Sequence, residues 1–134
     1  METSSPIKIL SQKFFSHSTV SLRADAIIHV EFVDFAKIGL TECREVNETI
    51  GEFGNYTKVC VLMEAATNTH FEKEAREFSA GEEGMKYTLA DAILVQSIAQ
   101  SIFVNLYLKI NKPPQPSRCF HKLEDATNWL LSLK

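Results

Sequence analysis

Two short apolar runs, 59–63 (VCVLM) and 92–95 (AILV), show no alternation with polar residues. A strand with one face in water alternates apolar and polar side chains, whereas a strand covered on both faces need not. Stretches with apolar residues at helical spacing follow both runs, so helices must supply the covering layers. The chain is thereby committed to an α/β arrangement in which interior strands are joined by right-handed helical crossovers.

The remaining elements follow from periodicity. In residues 14–23, Val20 and Leu22 fall on one side of a period-two pattern and Thr19 and Ser21 on the other. After Ala24-Asp25, residues 26–33 (AIIHVEFV) read as a second strand, and strands this close pair antiparallel. Cys43, Val46, Ile50 and Phe53 then recur at helical spacing behind Thr41, a suitable N-cap, with Gly51 and Gly54 as stop signals. A second helix is expected from Thr69, where Thr69-His70-Phe71-Glu72 matches a capping box, with Phe71, Ala75 and Phe78 on its buried face. Residues 98–110 (IAQSIFVNLYLKI) place Ile98, Ile102 and Leu106 on one stripe beside Phe103, Tyr107 and Ile110, which predicts a well-buried helix on the sheet.

Pro113 lacks a donor and biases Lys112 away from the helical region, so the helix must end there. Residues 117–121 read as a last strand, and Leu123, Ala126, Trp129, Leu130 and Leu133 trace the apolar face of a C-terminal helix. The expected order is β-β-α-β-α-β-α-β-α: a single α/β domain over residues 12–134, with a mixed five-stranded sheet, an N-terminal antiparallel hairpin, and a tail and lead-in over 1–11.

A chain of 134 residues buries roughly two thirds of the surface its unfolded form exposes, so no metal or disulfide is required to hold it. Its 17 acidic against 14 basic side chains argue against nucleic-acid binding, which concentrates Lys and Arg on one face. Cys43, Cys60 and Cys119 have no short spacing between any two and read as reduced, partly buried thiols of a cytoplasmic protein. Neither a signal-peptide h-region nor a membrane-spanning apolar run is present in the sequence.

No dinucleotide fingerprint, P-loop, zincin or nucleophile-elbow motif occurs, and the glycines are better explained as helix ends. His29 and Glu31 sit two apart on one strand and share a face, but two ligands do not make a metal site, and a hydrated sheet face explains them. Cys43 near a helix start is the best-placed thiol, yet it lies on the apolar stripe between Glu42 and Glu45, which oppose a thiolate. Lys112 and Arg118 flank the Pro-stiffened turn beside Tyr107 and Phe120, a rigid docking edge for a partner or an anion.

The order of segments, and above all residues 92–130, resembles the SpoIIAA-like or STAS-like families. It is most like a group of small uncharacterised bacterial proteins, many from Bacteroidetes, that end in a helix, an N-K-P-P-x-P turn, a strand and a helix of E-x-A-x-x-W-L type. Here those pieces are 105–116 (NLYLKINKPPQP) and 124–130 (EDATNWL), and the resemblance extends from about Val20 onward. It implies a STAS-like fold that binds other proteins. In the better-known STAS relatives, the anti-sigma-factor antagonists, a Ser between the third strand and second helix is phosphorylated by a partner kinase. The matching junction, 64–69 (EAATNT), lacks their D-S-S-G-type segment but keeps hydroxyls at Thr67 and Thr69. A phosphate at Thr69 would meet the free N–H groups of a helix start, while the capping box explains Thr69 as plain structure.

The expectation is a non-enzymatic protein-interaction or regulatory module whose partner or switch surface comprises Thr67, Thr69, Lys112 and Arg118. Its partner would be a protein, with self-association as a variant, and no nucleic acid, membrane insertion, catalytic residue, cofactor or metal is expected. The alternative is a protein that binds a small anionic or apolar ligand, or an enzyme. Its pocket would lie near the sheet and the 98–110 helix, under Phe103 and Tyr107 and lined by His29 or His121. A pocket of roughly 300 Å³ or more with converging polar groups would favour that alternative.

Overall fold

The computed structural model describes residues 7–133, so the expected polar tail at 1–6 and Lys134 lie outside the described residues. The elements run β1 (Ile9–Phe14), β2 (Ser18–Arg23), β3 (Ile28–Phe32), β4 (Lys37–Ile38), α1 (Leu40–Phe53), β5 (Val59–Ala65), β6 (His70–Phe71), α2 (Lys73–Ser79), β7 (Thr88–Leu94), α3 (Ile98–Asn111), β8 (Ser117–Phe120) and α4 (Leu123–Ser132).

Six strands form the main sheet in the order β1-β2-β3-β5-β7-β8, while β4 and β6 make a separate two-stranded ladder. The first three strands pair antiparallel, and β3, β5, β7 and β8 run parallel. The mixed sheet opening on an antiparallel hairpin is the architecture expected, with one more strand than the five expected. The stretch 14–23 is not one strand: the Phe15 N–H donates to Ser18 O at 2.7 Å, closing a turn that returns the chain onto residues 9–14. All six β1 side chains are exposed, so no burial pattern marks it in the sequence.

The sheet has two unlike faces. On one, Val20, Ile28, Val30, Phe32 and Val61 pack under Cys43, Val46 and Ile50 of α1 and Ala75 of α2. On the other, Cys60, Leu62, Ala90, Ala92 and Leu94 pack under Ala126 and Leu130 of α4. Each fully buried Val, Ile or Leu contributes roughly 1.5–3 kcal/mol, so these clusters carry the fold.

Helix α1 starts at Leu40 with Gly39, not Thr41, as its N-cap, and the Glu42 carboxylate accepts the Gly39 N–H at 2.8 Å. Gly51 lies inside the helix, where an added Cβ would stand 2.7 Å from the Tyr87 ring, and Gly54 closes it.

The capping box at Thr69 does not form. The backbone donors are engaged in the small ladder, with His70 N–H on Ala36 O and Glu72 N–H on Ile38 O, both at 2.9 Å. The Thr69 hydroxyl donates to Val33 O at 2.9 Å, and α2 begins only at Lys73 behind an N-cap at Glu72. Phe71 still reaches the core, edge-on to Phe32 with ring centroids 5.0 Å apart. The expectation of a well-buried 98–110 helix is also overturned: α3 forms over Ile98–Asn111 but buries no residue, because it overhangs an open cleft.

Candidate functional site

Helices α2 and α3 stand apart over β5 and β7, and the space between them is a largely apolar cleft. Its main chamber holds about 430 Å³, with Phe32, Met63 and Ile93 along the floor and Phe71 and Phe103 on the walls. An inner chamber of about 110 Å³ continues to Asp91, Ser79 and Tyr107, and a groove of about 230 Å³ opens past Lys73, Glu77 and Leu106. Arg76 and Phe103 line all three.

Asp91 sits mid-strand in β7, in register with Val61 of β5 and Ser117 of β8. Its backbone is fully engaged, the N–H donating to Pro116 O at 2.9 Å, but its side-chain Oδ1 has no hydrogen-bond partner. The carboxyl is enclosed even though the residue is partly reached from the cleft, and this burial pushes it up to about 7. A carboxyl stripped of water holds its proton to a higher pH than a solvated one. Among the described residues the other buried side-chain oxygen without a partner is Asn47 Oδ1, which lines the same small cavity as Cys43, Ser79 and Asp91.

Arg76 supplies the opposite chemistry. Its Nη1 donates to Phe71 O at 2.6 Å and its guanidinium lies 5.8 Å from the Phe103 ring centroid, so backbone and aromatic contacts hold it in place. Among the described residues it forms no ion pair. The Tyr107 phenol is pushed up by burial and by the nearby Asp91 and Cys43, against an opposing pull from Arg76. Burial also pushes up the Cys43 thiol, although Ser79 Oγ at 3.6 Å counters part of that shift. Both groups therefore stay neutral at ordinary pH.

Of the four residues singled out in the sequence, Thr67 and Thr69 line the mouth of the main chamber beside His70 and Gln100. Lys112 caps the other end of α3 in a left-handed conformation (φ 47°), and Arg118 is exposed against the Phe120 ring at 5.2 Å. Thr67 and Thr69 and Lys112 lie toward opposite ends of a 14-residue helix, about 20 Å apart along its axis, while Arg118 sits in β8 in register with Ala92, so the four do not form one surface. The pocket under Phe103 and Tyr107 exists, but neither His29 nor His121 lines it.

His29 points to the opposite sheet face. There its Nε2 lies 3.0 Å from Glu64 Oε1, Gln96 Nε2 donates to Glu64 Oε2 at 3.1 Å, and Glu31 stands in register with Glu64. Glu64 supplies the third ligand-bearing side chain missing from the sequence reading, and the ligand atoms of His29, Glu31 and Glu64 all lie within 4.8 Å of one another. These are the residues among those described that could hold a metal ion.

Sequence reasoning missed Asp91 and Arg76. Asp91 carried a usable signal: extending the strand upstream to 88–94 (TLADAIL) exposes a lone acid amid apolar residues. Arg76 carried none, being one charge among several in 72–77 (EKEARE).

Residues 20–134 match the family described as Domain of unknown function (DUF7793). The chain belongs to this family. Among solved structures, an uncharacterised protein of the DUF3478 family with a SpoIIAA-like fold, from Shewanella loihica PV-4, is 15% identical and superposes with a TM-score of 0.57, covering 97% of this chain and 99% of that one. The fold of this DUF7793 member is therefore SpoIIAA-like, in agreement with the resemblance read from the sequence. A protein of unknown function from Arthrobacter sp. FB24 is 20% identical over 84% of this chain and 97% of that one, with a TM-score of 0.32. No curated protein matches. Among the described residues, no helix is long and apolar enough to cross a membrane.

Proposed function

We propose that this domain is a non-enzymatic binding module whose α2–α3 cleft receives a small amphipathic molecule. The observation that carries the proposal is Asp91: an enclosed carboxyl oxygen with no partner at the end of an apolar chamber. An unsatisfied buried polar group costs about 1–3 kcal/mol, a cost a ligand would relieve. The roughly 430 Å³ main chamber falls in the size range of small-molecule sites, and a few polar groups in an apolar lining are their usual composition. The high-lying thiol of Cys43 and phenol of Tyr107 suit holding a ligand rather than attacking one.

A neutral fluorescent probe such as N-phenyl-1-naphthylamine should bind saturably with one site per chain. Val104→Trp, which fills the main chamber from α3, should abolish the signal. Equal binding by wild type and Val104→Trp would place the probe elsewhere and defeat the proposal.

A second reading has its own observation. Ile98, Ile102, Leu106 and Ile110 recur every fourth residue on α3 and are 74%, 65%, 54% and 67% exposed. We propose that this stripe mediates protein interaction, self-association included, since contiguous exposed apolar surface marks such sites. Ile102→Glu should then shift sedimentation toward the monomer; a wild type that is already monomeric at high concentration would remove self-association.

A further inference from the structure

We propose that the ligand of the α2–α3 cleft is an amphipathic acid, an apolar chain ending in one carboxylate that pairs with the Arg76 guanidinium. This rests on the cleft being a ligand site. The chain's part is set by the floor and walls, where Phe32, Met63, Ile93 and Phe103 present apolar surface. The head group's part is set by charge. Arg76 lines every chamber, is held by Phe71 O and the Phe103 ring, and has no acidic partner among the described residues. A guanidinium fixed in this way offers a planar fork that a carboxylate matches bidentately. Lys73 in the outer groove is paired with Glu77 at 3.9 Å, which leaves Arg76 as the unpaired cation lining the cleft among the described residues, and one such charge favours a monoanion, because a dianion's second negative charge would be left unpaired. An ammonium head group would be repelled by Arg76.

Asp91 then serves as a gate. While protonated, it contributes no charge and its O–H can donate to the ligand. Once ionised, it sets a second negative charge beside the ligand carboxylate. The groups facing it are Arg76 and Ser79 from α2, Cys43 and Asn47 from α1, Tyr107 from α3 and Thr88 on its own strand, with Ser117 opposite on β8. Cys43 and Tyr107 are both pushed upward, away from neutral pH, and His70 and Glu64 of the main chamber are the further titratable groups to control for. Since burial pushes the Asp91 carboxyl up to about 7, acid binding should weaken as pH rises through that value.

Displacement of N-phenyl-1-naphthylamine by decanoate and by decanol, two ligands of equal chain length, separates the claims. At about pH 6 decanoate should bind about ten-fold more tightly than decanol, the size of one charge-assisted hydrogen bond. Arg76→Gln should collapse that preference, and Arg76→Lys, which keeps the charge, should retain most of it. Raising the pH to about 8.5 should weaken decanoate about ten-fold in wild type and in His70→Gln, but not in Asp91→Asn. If decanol binds and decanoate binds no better, the acid assignment is wrong while the cleft stands as a ligand site. If Asp91→Asn keeps the full pH dependence, the gate is wrong. If the probe and both ligands fail to bind, the cleft reading falls as well.

Discussion

Helices α1 and α3 are each 14 residues long and pack toward the same face of one sheet, yet they do opposite work. Helix α1 alternates charge with a narrow apolar stripe and buries Cys43, Val46 and Ile50 against β2, β3 and β5. Helix α3 is richer in apolar residues and buries none. A charged outer face leaves a helix one way to satisfy its apolar side, which is to dock closely. A helix apolar on several sides has no such instruction. On α3, Phe103, Val104 and Tyr107 line a cleft, and Ile98 and Ile102 face outward. Apolar content therefore predicted burial correctly for α1 and wrongly for α3, and the misplaced surface is where the candidate function lies.

This contrast can be broken by substitution. Ile50→Ala in α1 should cost about 2–5 kcal/mol of unfolding free energy, since the cavity forms in a closed core. Ile102→Ala in α3 should stay within about 0.5 kcal/mol by the same urea titration. Similar losses at both positions would mean that α3 is packed after all.

Asp91 sharpens the contrast by pH. Its folded value of about 7 lies above the ordinary 3.8, so the folded chain holds a proton that the unfolded chain has lost between those values. Its contribution to stability is thus full below about pH 4 and is lost as pH rises toward 7, by up to about 4 kcal/mol at about 1.4 kcal/mol per unit. Asp91→Asn should remove that slope and be more stable than wild type at about pH 8. Urea midpoints across the pH range would show it, and parallel profiles for the two proteins would refute the burial of the carboxyl.

Smaller effects follow at the mouth and under the helices. Thr69→Val removes the hydroxyl that donates to Val33 O and should cost about 1 kcal/mol, whereas Glu72→Gln should not disturb a capping box that does not form. The smallest effect is chemical. Cys119 sits opposite Ile93 beneath α3 and is half-buried, while Cys43 is buried in the closed core. A thiol reagent should modify Cys119 first in the native protein, and faster labelling of Cys43 would place the opening under α1 instead.

The interior strands, the antiparallel opening and the helix after the Pro turn were legible because each leaves a local record: an unalternating run, a period of two, a missing donor. The SpoIIAA-like order followed from these together with the residues of the 105–130 segment. Capping at Thr69 failed because Glu72 N–H pairs with Ile38 O in a tertiary ladder and Thr69 N–H closes a turn onto Ala66 O, the first a competitor about thirty residues away that a four-residue pattern does not register. Edge strand β1 left no record because no face of it is buried.

Local chemistry determined which segments become strands and helices, since propensity and periodicity act over a few residues. Only the tertiary structure decided how far α3 stands from the sheet, and hence that Asp91 Oδ1 lies enclosed without a hydrogen-bond partner and that Arg76 faces an apolar cleft with no ion pair among the described residues. Burial and electrostatic pairing depend on what arrives from distant parts of the chain, and that arrangement turns an ordinary Asp in a strand and one Arg among many charges into a site.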